Sequence, residues 1–154
     1  MEKQDKIYVA GHQGLVGSAI LRQLQDRGFG KIITKSRSEL DLTFQEQVRL
    51  FFDEHRPDYV FLAAGKTGGV YANDSYRAEF FYENISIQAN IIHQAYLHEV
   101  KKLIFYGCSS MYPKFSPQPM KEEHLLSGYP EPTNEPFAVA KIAGLKMCES
   151  YNRQ

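Results

Sequence analysis

Three glycines, Gly11, Gly14 and Gly17, recur at every third position directly after the apolar run Ile7-Tyr8-Val9-Ala10 and directly before a helical pattern. That order, strand then glycine triplet then helix, leaves the backbone few options. The first glycine allows a tight turn, the second lets the main chain approach a pyrophosphate, and the third lets helix and strand pack closely. Amides at the helix start then face the phosphates, aided by the helix dipole. Gly11-His12-Gln13-Gly14-Leu15-Val16-Gly17 is therefore the candidate pyrophosphate loop of a dinucleotide site. The competing reading is a plain β–α turn that binds nothing.

The rest of the chain alternates in the same manner. Strands are expected over residues 6–10, 31–35, 59–64 and 102–106, with a short extended piece over 39–42. A first helix is expected over 14–27, closed by Gly28 as a C-terminal cap, with Ala19, Ile20 and Leu24 inward and Arg22, Gln23 and Asp26 outward. Thr43-Phe44-Gln45-Glu46 has the form of a capping box, so a second helix is expected to start there and run to about His55, broken by Pro57. Gly65, Gly68 and Gly69 mark a loop, followed by a long helix over 78–98. A proline-rich loop over 112–132 leads into a last helix with Pro136 in its first turn, running to about residue 151. Strands alternating with helices give an α/β fold, a Rossmann-type doubly wound parallel sheet with helices on both faces.

Composition restricts the function classes. The chain has 154 residues, 18 Lys plus Arg against 18 Asp plus Glu, and 43% hydrophobic residues. That suits one domain over residues 1–154, and a zero net charge argues against a nucleic-acid partner. No apolar run reaches the length of a membrane span, and the polar start, Met1-Glu2-Lys3-Gln4-Asp5-Lys6, lacks a signal core. The two cysteines, Cys108 and Cys148, make neither a disulfide framework nor a zinc site, and Cys148 has core spacing. The five histidines share no metal-like spacing, and Glu122-Glu123 reads as a solvated pair. A cytoplasmic protein with no metal is the expectation.

In open parallel sheets ligands bind at the carboxyl ends of the strands. After the second strand an acidic residue would take a ribose 2′-hydroxyl and a basic one a 2′-phosphate. The chain offers Lys35 and Arg37 there, with Asp41 and Leu42 a little further on, which favours NADP(H) over NAD(H). Ala63, Ala64, Gly65 and Lys66 follow the third strand; Tyr106, Gly107, Cys108, Ser109 and Ser110 end the fourth. Phe137 and Lys141 are four apart on the last helix and share a face.

These motifs resemble the extended short-chain dehydrogenase/reductases of the NAD-dependent epimerase/dehydratase family. The nearer resemblance is to the branch that converts GDP-4-keto-6-deoxymannose to GDP-L-fucose with NADPH. It is carried by Gly11 to Ile20, Lys66-Thr67-Gly68-Gly69, Tyr112-Pro113-Lys114 and Glu131-Pro132-Thr133-Asn134-Glu135-Pro136. It covers nearly all of this chain and about the first half of the family's length. It implies a fold truncated before the family's last strands and substrate domain, a GDP-sugar substrate and a homodimer.

In that family a serine and a tyrosine hydrogen-bond and protonate the substrate carbonyl, and a lysine lowers the tyrosine pKa. A cysteine two residues after the serine moves protons during epimerisation. The resemblance places Lys141 at the lysine, Phe137 at the tyrosine, Cys108 at the serine and Ser110 at the cysteine. Phenylalanine has no proton to give and a thiol is a weak donor. The resemblance thus implies a cofactor site beside a damaged catalytic centre. Three functions follow as candidates: an epimerase/reductase of nucleotide-sugar biosynthesis with impaired activity, a non-catalytic NADP-binding fragment or pseudoenzyme, or a related NDP-sugar epimerase or dehydratase.

Overall fold

A computed structural model describes all 154 residues, which form two compact units. The first comprises residues 1–65 and 86–106, the second residues 66–85 and 107–154.

The first unit is built on four parallel strands, β1 (Ile7–Ala10), β2 (Ile32–Ile33), β3 (Tyr59–Leu62) and β4 (Lys102–Phe105), in the order β2-β1-β3-β4. Ile7 lies between Ile32 and Tyr59, and Val60 pairs with Leu103. β1 is buried along its whole length, as a central strand of a two-faced sheet must be. Successive side chains of a strand point to opposite faces. Ile7 and Val9 pack with Phe61 and with Leu24 and Ile20 of helix α1 (Leu15–Asp26). Tyr8 packs the other way, its ring 4.5 Å from Phe51 of helix α2 (Gln45–His55) and edge-on to Phe52. α1 and α2 therefore cover opposite faces, as the doubly wound reading expects.

The second unit holds helix α3 (Val70–Ser75) and helix α5 (Glu135–Arg153), with short 3-10 turns at Ser109–Met111 and Glu122–His124. Helix α4 (Arg77–Leu97) begins in the second unit and ends in the first, where Ile87, Ile91, Ile92 and Ala95 are buried. Nothing along the chain forms a helix long and apolar enough to cross a membrane.

Several local expectations are corrected. Thr43 does not cap α2; its hydroxyl and amide both donate to Asp41 Oδ1, at 2.7 and 3.0 Å, so the aspartate two residues earlier takes the capping groups into its own turn. The helix starts at Gln45 instead, with Phe44 in the cap position and no side-chain cap. Residues 39–42 are accordingly a turn rather than an extended piece. β2 shrinks to two residues because only Ile32 and Ile33 find partners on β1. Ala19 is exposed, leaving Gly17 and Leu24 as the buried positions of α1. The stretch after Gly69, read as loop, contains α3. Gly28, by contrast, has φ 72° and closes α1 with the paired bonds of a left-handed glycine cap, Gly28 N–H to the Gln25 carbonyl and Phe29 N–H to the Leu24 carbonyl.

Candidate functional site

The glycine loop follows β1, and two of its three glycines are demanded by the fold itself. Gly11 has φ +82°, and a Cβ there would lie 2.6 Å from the Ala64 nitrogen. A Cβ on Gly17 would press into the Gly11 carbonyl, 2.7 Å from its carbon. Gly14 is different. Its backbone is ordinary extended chain at φ −77°, and an added Cβ would meet only the Gly11 oxygen, at 3.4 Å. Nothing inside the chain needs a glycine at position 14.

Gly14 is also the N-cap of α1 and provides no side-chain cap, and the first turn carries no acidic residue. The leading amides of a helix have no intrahelical acceptor. Here they belong to the turn of Leu15 and Val16, which are 91% and 45% exposed. Donors, dipole and a smooth glycine surface together form a cradle that suits a phosphate-bearing ligand. Gln13 is exposed, while His12 has a buried Nδ1 with no hydrogen-bond partner.

At the turn after β2 the two cations stand beside acids. Lys35 Nζ is 4.0 Å from Glu39, and Arg37 Nε is 3.8 Å from Asp41. The Ser36 hydroxyl and amide hold the Glu39 carboxyl below the usual range, with smaller help from Lys35 and His12. Partial burial raises the Asp41 pKa, but the Thr43 bonds and the Arg37 charge outweigh it and bring the carboxyl below its ordinary value. The Arg37 side chain is 71% exposed and can swing to a ligand at small cost. Leu42 is tied down through its carbonyl, which accepts from Asn90 Nδ2 at 2.9 Å. Beyond β3, Ala63 donates its amide to the Ala10 carbonyl, which fixes the turn carrying Ala64 and Gly65. Tyr106, after β4, packs against the Ile7 and Val9 cluster, and partial burial raises its phenol pKa.

In the second unit Lys66 is held in two ways. Its ammonium donates to Glu79 Oε2 at 2.7 Å and Glu83 Oε1 at 2.6 Å, so its charge is matched by residues of α4 and its pKa is raised. Its backbone is gripped by Asn84, which is fully buried. Asn73 donates to the carbonyls of Gly68 and Gly69 at 2.9 and 3.0 Å. Neither asparagine was legible as a functional residue; for Asn84 the available signal was a polar residue among the buried positions Phe80, Ile87 and Ile91 of its helix.

Gly107, Cys108, Ser109 and Ser110 lead into a 3-10 turn whose Met111 is buried, with the Cys108 amide 3.4 Å from the Met111 sulfur. α5 packs on this turn, and its buried positions are Ala138, Ala140, Lys141 and Gly144. Lys141 is only 7% exposed; burial pushes its ammonium pKa down, and an electrostatic contribution from the neighbouring Cys108 acts the other way. Phe137, one turn earlier, is half-buried and offers no proton. Ser109 is exposed and Ser110 half-buried. The cluster thus holds a desolvated lysine near a thiol and lacks a phenolic acid on the same helix face.

A family model described as the NAD dependent epimerase/dehydratase family matches residues 7–154. The chain belongs to that family. Among family relatives, it is 57% identical over its whole length to the putative GDP-L-fucose synthase 2 of Arabidopsis thaliana, covering 47% of that protein. It is 53% identical to the GDP-L-fucose synthase of Escherichia coli, covering 48% of it. The GDP-mannoheptose C4 reductase MlghC of Campylobacter jejuni, solved with NADP bound, superposes over all of the chain and 49% of its own length, with TM-score 0.97 and 49% identity. The chain therefore spans about half the length of the family members it matches.

Proposed function

We propose that residues 1–154 act as the NADP(H)-binding domain of a GDP-sugar epimerase/reductase, of the kind that forms GDP-L-fucose, and that this chain is itself impaired in the reduction. One observation carries the cofactor reading: the fold requires glycine at 11 and 17 but not at 14, where a Cβ would only obstruct the approach to the α1 amides. The glycine loop would take the pyrophosphate, Lys35 and Arg37 the 2′-phosphate, with His12, Asp41, Leu42 and the Ala63 to Lys66 turn bordering the same ligand. NADP(H), when bound, supplies hydride chemistry.

On the protein side the proposed roles are Lys141 as the buried cation that orients the cofactor and tunes an acid, and Cys108, Ser109 and Ser110 as the groups beside the substrate carbonyl. Phe137 occupies the position from which the family's tyrosine delivers its proton. Loss of a positioned general acid lowers rates by about 10²–10⁴. The likeness to a GDP-mannoheptose reductase at 49% identity supports a second reading, in which the GDP-linked sugar is a heptose.

A homodimer in the cytoplasm completes the proposal. Phe81, Tyr82 and Val139 are 40%, 64% and 40% exposed, and Phe81 and Val139 line an apolar recess with Arg77, Ala78, Glu135 and Pro136. Exposed apolar faces of this kind are covered by association. The cofactor reading is tested by fluorescence titration with NADPH and NADH. NADPH is expected to bind at least about tenfold more tightly, an advantage that Arg37→Ala removes; equal affinities, or an advantage that survives Arg37→Ala, overturn the assignment.

A further inference from the structure

Three hydrogen bonds tie the buried amide of Asn84 to main chain. Its Oδ1 accepts the Lys66 amide at 3.0 Å, and its Nδ2 donates to the Lys66 carbonyl at 3.0 Å and to the Phe80 carbonyl at 2.7 Å. Only one orientation of the side-chain amide satisfies an N–H and two carbonyls together, so the network fixes it. Both backbone polar groups of Lys66, its N–H and its carbonyl, are thereby held by a single residue that is 0% exposed. The Lys66 ammonium is held separately, by Glu79 and Glu83. A lone lysine side chain would need only the ion pairs; a backbone clamp of this sort fixes the course of the main chain at Lys66.

The chain's exit from β3 has a definite place in the topology. With the order β2-β1-β3-β4, a dinucleotide whose pyrophosphate lies on the loop after β1 and whose 2′-phosphate lies after β2 must extend its nicotinamide half toward β3. The residues after β3 are Ala63, Ala64 and Gly65, joined directly to Lys66. We infer that Asn84 is a positioning residue for the nicotinamide half of the cofactor, acting through the Lys66 peptide. This rests on the cofactor reading above.

Two ligands separate the possibilities: NADPH, and adenosine 2′,5′-bisphosphate, which carries the 2′-phosphate but no nicotinamide. Asn84→Leu removes these three bonds, and Asn84→Asp keeps the acceptor while turning a carboxylate on two carbonyls. In both variants the dissociation constant for NADPH is expected to rise at least about tenfold, while that for the bisphosphate stays within about twofold of wild type. Equal weakening of both ligands, or weakening of neither, overturns the positioning role and leaves the cofactor reading intact. A wild-type protein that binds neither ligand overturns both. If neither variant folds, hydrogen exchange on the wild type decides. A Lys66 amide strongly protected without cofactor supports the clamp, and one that exchanges freely until cofactor is added refutes it.

Discussion

Gly17 lies against the carbonyl of Gly11 so closely that the first helix and the first turn leave no space for a methyl group between them. The Gly17→Ala variant must move α1 away from β1, where Leu24 and Ile20 pack on Ile7 and Val9. A loss of about 3 kcal/mol is expected, at the upper end for overpacking, because the obstructing atoms are backbone. Gly14→Ala meets no such obstacle. It is expected to leave the melting temperature nearly unchanged and to weaken NADPH binding at least about tenfold. Paired thermal melts and titrations check both, and a Gly14→Ala protein that binds NADPH normally removes the main support for the pyrophosphate loop.

The starts of three strands are tied by one lysine. Lys101 Nζ is 2.8 Å from Asp5 and 2.9 Å from Asp58, and Asp58 also accepts the Lys6 amide. The Lys101 hydrogen bonds hold both carboxyls below the usual range, and those carboxyls raise the Lys101 pKa. Depressed carboxylates contribute stability that is present above their unfolded value of about 3.9 and lost as pH falls through the lower folded values. Lys101→Met is expected to be less stable than wild type at pH 7, with the gap closing as pH falls below about 4. A gap in melting temperature that is constant from pH 7 to pH 2.5 contradicts the linkage.

Lys141 predicts a trade of the opposite kind. Lys141 is 7% exposed, and burial lowers its ammonium pKa. A charge in such a place costs stability that an apolar isostere recovers. Lys141→Met is expected to melt about 2–4 °C higher, the shift that 1 kcal/mol produces in a protein of this size. It is also expected to bind NADPH less well. A lower melting temperature identifies Lys141 as a structural residue instead.

Much of this was legible because the decisive signals are local. The Gly11, Gly14 and Gly17 spacing, the Gly28 cap and the Pro136 helix start each depend on a few adjacent residues, and each lies where the sequence puts it. What escaped reading depends on partners far along the chain or on competition between neighbours. Thr43 looked like a cap until Asp41 took its hydroxyl. Lys66 reads as a cofactor-binding residue after the third strand, yet Glu79 and Glu83 lie one turn apart on α4 and both reach its ammonium. α3 was hidden because Gly68 and Gly69 signal a loop, and it is Asn73, farther on, that caps their carbonyls from the helix. Asn84 was missed for the same reason: its partner is eighteen residues away.

The last prediction concerns turnover. Phe137 and Cys108 stand where the family resemblance places a tyrosine and a serine, and Phe137 shares a helix face with the buried Lys141. Phe137→Tyr with Cys108→Ser restores a phenol one turn from Lys141, which on the proposed reading repairs proton delivery. It does not supply whatever residues hold the sugar in the other half of the relatives' length, since this chain spans 47–48% of them. Hydride transfer needs the reacting atoms held about 3–3.5 Å apart. The double variant of the 154-residue chain is therefore expected to stay inactive on GDP-4-keto-6-deoxymannose, measured as loss of NADPH absorbance with the product identified chromatographically. Joined to the remaining half of the Escherichia coli relative, the chain is expected to turn over with Tyr at 137 and to be slower by about 10²–10⁴ with Phe. Equal rates for the Phe and Tyr fusions show that the proton comes from elsewhere and that Phe137 does not mark the acid's position.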